Sequence, residues 1–545
     1  ASAGHRSPSR ARAFRQRAQF PVGGSMRRAI AMPHPPRLGP LVALLLAPFL
    51  LAQAVHYEVR ITDRKAQLAE VRATFPAADR DALELFLPVW SPGFYRVQDY
   101  HQQVRDFAAA SDGKALAITQ PTPNRWRIAT ANAAAVTCTY TLHCARASVT
   151  QNQISDGFAV LCGPATFVGE VGALPRQHTV KVLLPDGWLH VATGLPRRGG
   201  DDHTFVARDH DLLLDSPFVL GTVATTTFDV LGARHEWSQF GDAGDWDVAA
   251  LIPKLQPVCA ELCRTFGDVP FERYVFLAGF RSANGGLEHL DSSLVTVNKK
   301  QRPDEPRFLS FLAHEYAHAF NVKRLRPVEL GPFDYERPPS TPSLWISEGL
   351  TTWFGDLALV RAGAVDTGTW LGLVSGHVRS LQGSPGRKLQ TLADASAAVW
   401  KASNSGVGGD PRTTVSYYVK GPVVGFVLEA RLRVASGGAF GLDEVMRRAY
   451  ARFGGERGFT PEQFEALAAG VAGSDQRAFF DRALRSCDEL DYAEALAWFG
   501  LEFVPTDEQG KRDERWRLRQ RADASETQRQ HLATLLAKSP EPARR

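Results

Sequence analysis

From Val55 to about Thr225 apolar and polar positions alternate in short runs. His56-Tyr57-Glu58-Val59-Arg60-Ile61 and Arg125-Trp126-Arg127-Ile128 place every second side chain on one face, the period of a half-buried strand. Val180 to Leu184 runs into a Pro-Asp-Gly turn. The pattern predicts an antiparallel β domain, a sandwich, over residues 55–225. Near Thr226 the period lengthens. Asp247 to Phe266 has helical spacing and stops near Gly267, Tyr274 to Leu277 reads as a short strand, and Phe308–Val322, Leu344–Arg361 and residues 365–383 read as helices. Pro338 to Pro342 makes a loop between two of them. A strand followed by long helices predicts an α+β domain over 226–400. Tyr417–Ser436, Gly441–Phe453 and Pro461–Val471 continue as a helical C-terminal domain over 401–500. Residues 501–545 are polar and charged, dense in arginine from Arg512 to Arg521, and read as a helical tail or a frayed terminus.

Composition narrows the class. Apolar residues at 44% and charged residues at 22% are ordinary for a folded chain of 545 residues. A net charge of +5, from 63 basic and 58 acidic residues, gives no reason to expect a nucleic-acid partner, and no basic stripe interleaves with aromatics. The N-terminus carries its own signal. Met26-Arg-Arg opens a basic segment reaching Arg37; an apolar run from Leu41 to Leu51, broken by Pro48, closes on Ala52-Gln53-Ala54. That order is a secretory signal peptide, and the run falls short of the roughly 20 residues a membrane span needs. The expectation is an exported chain, periplasmic or secreted, cleaved after Ala54 and without stable membrane association; an uncleaved anchor is the alternative. Residues 1–54 are set apart from the fold as leader and signal peptide. An exported chain can form disulfides. Of the six cysteines, Cys138 and Cys144 could bridge each other or reach Cys162, and Cys259 and Cys263 lie one helical turn apart. None forms a CxxC pair, which disfavours a cysteine zinc site.

The chemistry gathers at His314-Glu315-Tyr316-Ala317-His318. Residues four apart share a helix face, so His314 and His318 can hold one zinc ion, and Glu315 between them can act as general base on water whose pKa the metal lowers to about 7. A third ligand is needed. Glu348, in Trp345-Ile346-Ser347-Glu348-Gly349, sits on the next helix, which a hairpin would bring alongside; alone it would read as an ordinary helix acid. Gly285-Gly286-Leu287-Glu288-His289 precedes the histidines. Its glycines allow close backbone approach and Glu288 could hold a cationic substrate N-terminus; alone the segment reads as a turn followed by a surface acid. Tyr418, in Tyr417-Tyr418-Val419-Lys420-Gly421, could stabilise a developing oxyanion, or could simply pack.

Taken together, His314 through Pro327, Leu344 through Thr351, Gly285 through His289 and Tyr418 through Gly421 resemble the glycyl aminopeptidase family of zinc metallopeptidases. Val89-Trp-Ser-Pro-Gly-Phe-Tyr95 and Asp215-Ser-Pro217 resemble that family's N-terminal β domain. The resemblance implies a multidomain chain: an antiparallel β-sandwich, an α+β thermolysin-like catalytic domain, then a mainly α-helical region. It implies one zinc ion per chain on His314, His318 and Glu348, and Glu315 as base. Gly285, Gly286 and Glu288 would bind substrate, Glu288 through its α-ammonium, and Tyr418 would bind the transition state. The implied partner is a peptide with a free N-terminus, its first residue glycine or alanine. Phe320 replaces a tryptophan common in the family, and the 45 residues after Gly500 are too few for the PDZ domain many members carry. Two other readings stay open: a zinc endopeptidase in which Glu288 does not block the cleft, and a catalytically weak peptide-binding scaffold. Oligomeric state is not specified.

Overall fold

Val55–Asp63 buries Val55, Tyr57, Val59 and Ile61 and exposes or half-exposes the residues between them, as its alternation predicts. A computed structural model describes residues 54–542 apart from 174, 402–409, 411 and 506–514; the signal-peptide segment, Ala54 excepted, lies outside these residues. Val55–Asp63 lies within a seven-stranded sheet, paired antiparallel with Leu68–Pro76 and parallel with His178–Leu183. That parallel join is the departure from an all-antiparallel sheet. Two four-stranded sheets complete the β region, one containing Ala82–Phe86 and Arg125–Ala129, the other Phe158–Leu161 and Phe218–Gly221. Tyr57, Phe75, Trp126, Tyr140 and Phe167 belong to one buried core.

A five-stranded sheet follows, ordered Ala224–Val230, Ala233–Phe240, Arg273–Arg281, Ser292–Asn298 and, at its edge, Gly285–Glu288. Helices Val248–Phe266, Pro306–Ala317, Thr351–Arg361, Thr367–Gly383 and Tyr417–Ala435 share a second core with it. The histidine helix ends at Ala317, short of the predicted Val322. Asn321 ends it by donating its side-chain amide to Ile346 O (2.7 Å) and Thr351 Oγ1 (2.9 Å), and Val322 then takes a φ of +101°. These buried bonds to the next helix outweigh another helical turn.

The tail is helical in part, as one of its two readings had it, and it also forms a strand pair. Leu501–Phe503 pairs with Leu518–Gln520, and Glu526–Leu536 forms a helix that buries Leu532 and Leu535. Arg361 Nε donates to Leu535 O (3.0 Å) and Ser539 N to the buried Glu261 Oε1 (2.9 Å). The segment's polar composition hides one packed face. The cysteines also depart from expectation: all six are free. Six residues of extended chain hold Cys138 and Cys144 roughly 20 Å apart, and burial pushes the Cys138, Cys144 and Cys162 thiols up to about 12. Among the described residues no helix is long and apolar enough to cross a membrane.

Candidate metal centre and substrate cleft

The last turn of Pro306–Ala317 and its cap residue bring the two histidines together, Nε2 to Nε2 at 2.9 Å. A π-helical turn, Trp345–Leu350, directs Glu348 at the same point, with Oε2 3.5 Å from His314 Nε2 and 3.2 Å from His318 Nε2. The three ligand atoms lie within 4.8 Å of one another. Glu348 Oε2 is buried and has no hydrogen-bond donor. The site therefore calls for a cation where its three ligand atoms converge, and two imidazole nitrogens with one carboxylate are a donor set that fits zinc.

The outer nitrogens of both rings are also committed. His318 Nδ1 lies 3.0 Å from Asn321 O, which can only accept. His314 Nδ1 lies 3.1 Å from Thr352 Oγ1, which itself donates to Glu348 O at 3.0 Å. Each ring thus carries its proton on Nδ1 and turns the Nε2 lone pair inward.

Gly285–Glu288 is an edge strand rather than the turn and surface acid that its sequence suggests in isolation. Strand alternation puts Gly286 and Glu288 on one face. Gly286 backs onto Glu315: a Cβ there would overlap the carboxylate, so a larger residue would push the Glu315 carboxylate from its place. Gly285 pairs with Thr296, whose hydroxyl donates to its carbonyl at 3.3 Å. Burial pushes the Glu315 carboxyl up to about 8, with Glu288 and Glu348 adding to the shift and His318 opposing it. Glu288 is 4% exposed and its Oε1 has no partner. Tyr418, second residue of its helix, has its ring 5.9 Å from that of His314.

Three contributions were not legible in the motifs. Asn321 and Thr352 orient the histidines. Asp215, from the β region, meets Lys323, just beyond the histidine helix, at 2.7 Å. The Val89–Tyr95 segment, read as part of the β domain alone, reaches the cleft: Gly93, at φ +88°, lies so close to Glu288 that a Cβ would overlap its carboxylate. Trp90 and Tyr95 pack edge-on against Trp400, with centroids at 5.5 and 5.9 Å. The one local hint was a glycine following proline in Ser-Pro-Gly.

Comparisons agree with this architecture. The Peptidase M61 N-terminal domain model matches residues 56–222, and the M61 glycyl aminopeptidase model matches 307–424. No curated protein matches. An aminopeptidase N family protein from Idiomarina loihiensis has a similar structure, with a TM-score of 0.78 and 27% identity over 84% of this chain and 80% of that one. The M1 zinc metallopeptidase of Deinococcus radiodurans, in a mutant bound to a Tyr-Ser-Ala substrate, has a TM-score of 0.53 at 14% identity, over 81% of this chain and 94% of that one. Yeast LTA4 hydrolase in complex with bestatin has a TM-score of 0.51 at 14% identity, over 80% of this chain and 68% of that one. The last two likenesses are of fold alone. Family models and fold make this chain a metallopeptidase. It belongs to the M61 glycyl aminopeptidase family, whose two models together span just over half of its length.

Proposed function

We propose that this chain is a zinc aminopeptidase that removes small N-terminal residues, glycine or alanine, from peptides. The observation that carries this reading is Glu288, a buried carboxylate with an unpartnered oxygen, two residues along one strand from the glycine that backs Glu315. A substrate α-ammonium there satisfies a charge that the protein leaves open. His314, His318 and Glu348 would hold one zinc ion, which when bound supplies the Lewis acidity that lets water ionise near pH 7 and that polarises a carbonyl. Glu315 takes the proton from the attacking water and returns it to the leaving amine. Tyr418 donates its hydroxyl to the carbonyl oxygen as negative charge grows there.

The test is hydrolysis of glycine and alanine chromogenic amides beside their N-acetylated forms, with and without chelator. Chelator-sensitive cleavage of the free amines alone is expected. Cleavage of the acetylated forms would make the enzyme an endopeptidase, and cleavage that survives chelation would remove the metal from the mechanism. Thr352→Val should weaken zinc binding about 10- to 100-fold by releasing His314. Titration against a chromophoric chelator reads this directly, and unchanged affinity would end Thr352's orienting role.

A further inference from the structure

Glu288 does not close its cavity alone. A small cavity of about 10 Å³ is lined by Glu288, Gly93, Trp90 and Tyr95, and Lys323 and Arg326 also line its wall. That is room for one water-sized group. Two buried polar atoms of its lining residues have no partner in the protein, Glu288 Oε1 and Tyr95 Oη. Tyr95 is 5% exposed, and a buried hydroxyl left without a partner is costly. Its ring is already fixed on Trp400, so the hydroxyl cannot swing out to solvent. The Lys323 ammonium is held by Asp215 at 2.7 Å and the Arg326 guanidinium lies over the Phe333 ring at 5.0 Å, and neither is a hydrogen-bond partner of Glu288 Oε1 or Tyr95 Oη.

We infer that Tyr95, supplied by the β region, is a substrate-binding residue that shares the peptide's α-ammonium with Glu288. An ammonium has three protons to place; the Glu288 carboxylate accepts one and the Tyr95 hydroxyl oxygen another. Gly286 and Glu288 are separated by about 7 Å of strand, so an ammonium at Glu288 leaves the first carbonyl of the peptide within reach of Glu315. Selection for a free N-terminus is then made jointly by two regions of the chain. This inference rests on the aminopeptidase reading and adds a residue to it.

The experiment is steady-state hydrolysis of an alanine chromogenic amide by the parent, Tyr95→Phe, Glu288→Gln and the double variant, with zinc content and thermal melting measured for each. Tyr95→Phe keeps the ring on Trp400 and removes only the hydroxyl. Expected are a KM raised about 10- to 100-fold with kcat changed far less, unchanged zinc, and a double variant scarcely worse than Glu288→Gln, since the two groups hold one ammonium. Parent-like KM in Tyr95→Phe beside a large loss in Glu288→Gln would overturn the role of Tyr95 and leave the aminopeptidase reading standing. Parent-like kinetics in both variants would overturn that reading as well. A Tyr95→Phe loss confined to melting temperature or zinc content would make the residue structural and overturn the inference.

Discussion

Glu315→Gln lowers kcat by about 10² to 10⁴-fold, the range over which a positioned acid or base acts, with zinc content unchanged. Glutamine keeps the shape of the side chain against Gly286, on which it lies closely, but it cannot accept a proton from water or return one to the leaving amine. Glu315 lies on the helix between the ligands and coordinates nothing itself, so metal retention separates this variant from a ligand mutant. Burial disfavours charge on this carboxyl, which makes its carboxylate a better proton acceptor. The check is kcat on an alanine amide together with metal analysis of the same sample. Parent-like turnover would remove Glu315 as the base.

The second large effect is on stability. Asp215→Asn should cost about 3 to 5 kcal/mol, the usual consequence of removing one partner of a buried ion pair. Asp215 accepts from Lys323 Nζ at 2.7 Å and from Leu290 N at 2.7 Å, and lies 3.2 Å from His289 Nδ1. The variant strands the Lys323 ammonium, whose side chain is only 6% exposed. Burial alone would raise the Asp215 carboxyl, but Lys323 and His289 outweigh it and bring it from 3.8 to about 2. The folded state therefore binds this proton less readily than the unfolded chain. The stabilisation is complete above pH 3.8 and is lost as pH falls through about 2. Denaturant melts of parent and variant should differ by a constant amount from pH 5 to pH 8 and converge in acid. Equal midpoints at pH 7 would show that the pair contributes nothing.

What the sequence disclosed and what it withheld divide along chain distance. His314, Glu315 and His318 were legible because helix geometry alone brings residues four apart to one face. Glu348 needed only the assumption of a hairpin. The helix end at Ala317 was hidden because Asn321 forms its decisive bonds with Ile346 and Thr351, which local periodicity cannot register. Glu288 looked like a surface acid because a short edge strand bearing two glycines has almost no alternation to read. Gly93 and Tyr95 were out of reach for the same kind of reason: a glycine, a tyrosine and a glutamate far apart in the chain carry no mutual pattern. The tail's helix was one of its two readings, but its packing was hidden because a charged composition masked the buried face formed by Leu532 and Leu535.

The seam between the β region and the metal-bearing half has a consequence for recombination. It is fitted at several separate points: Gly93 against Glu288, Asp215 on Lys323, Trp90 and Tyr95 on Trp400. A chimaera that borrows either half from a distant relative inherits only one side of each fit. A single Cβ at position 93 would intrude on the Glu288 carboxylate, and a neutral residue at 215 would leave a bare ammonium. Exchanging one half alone would break these fits, so in this chain the unit that can be exchanged intact is the pair.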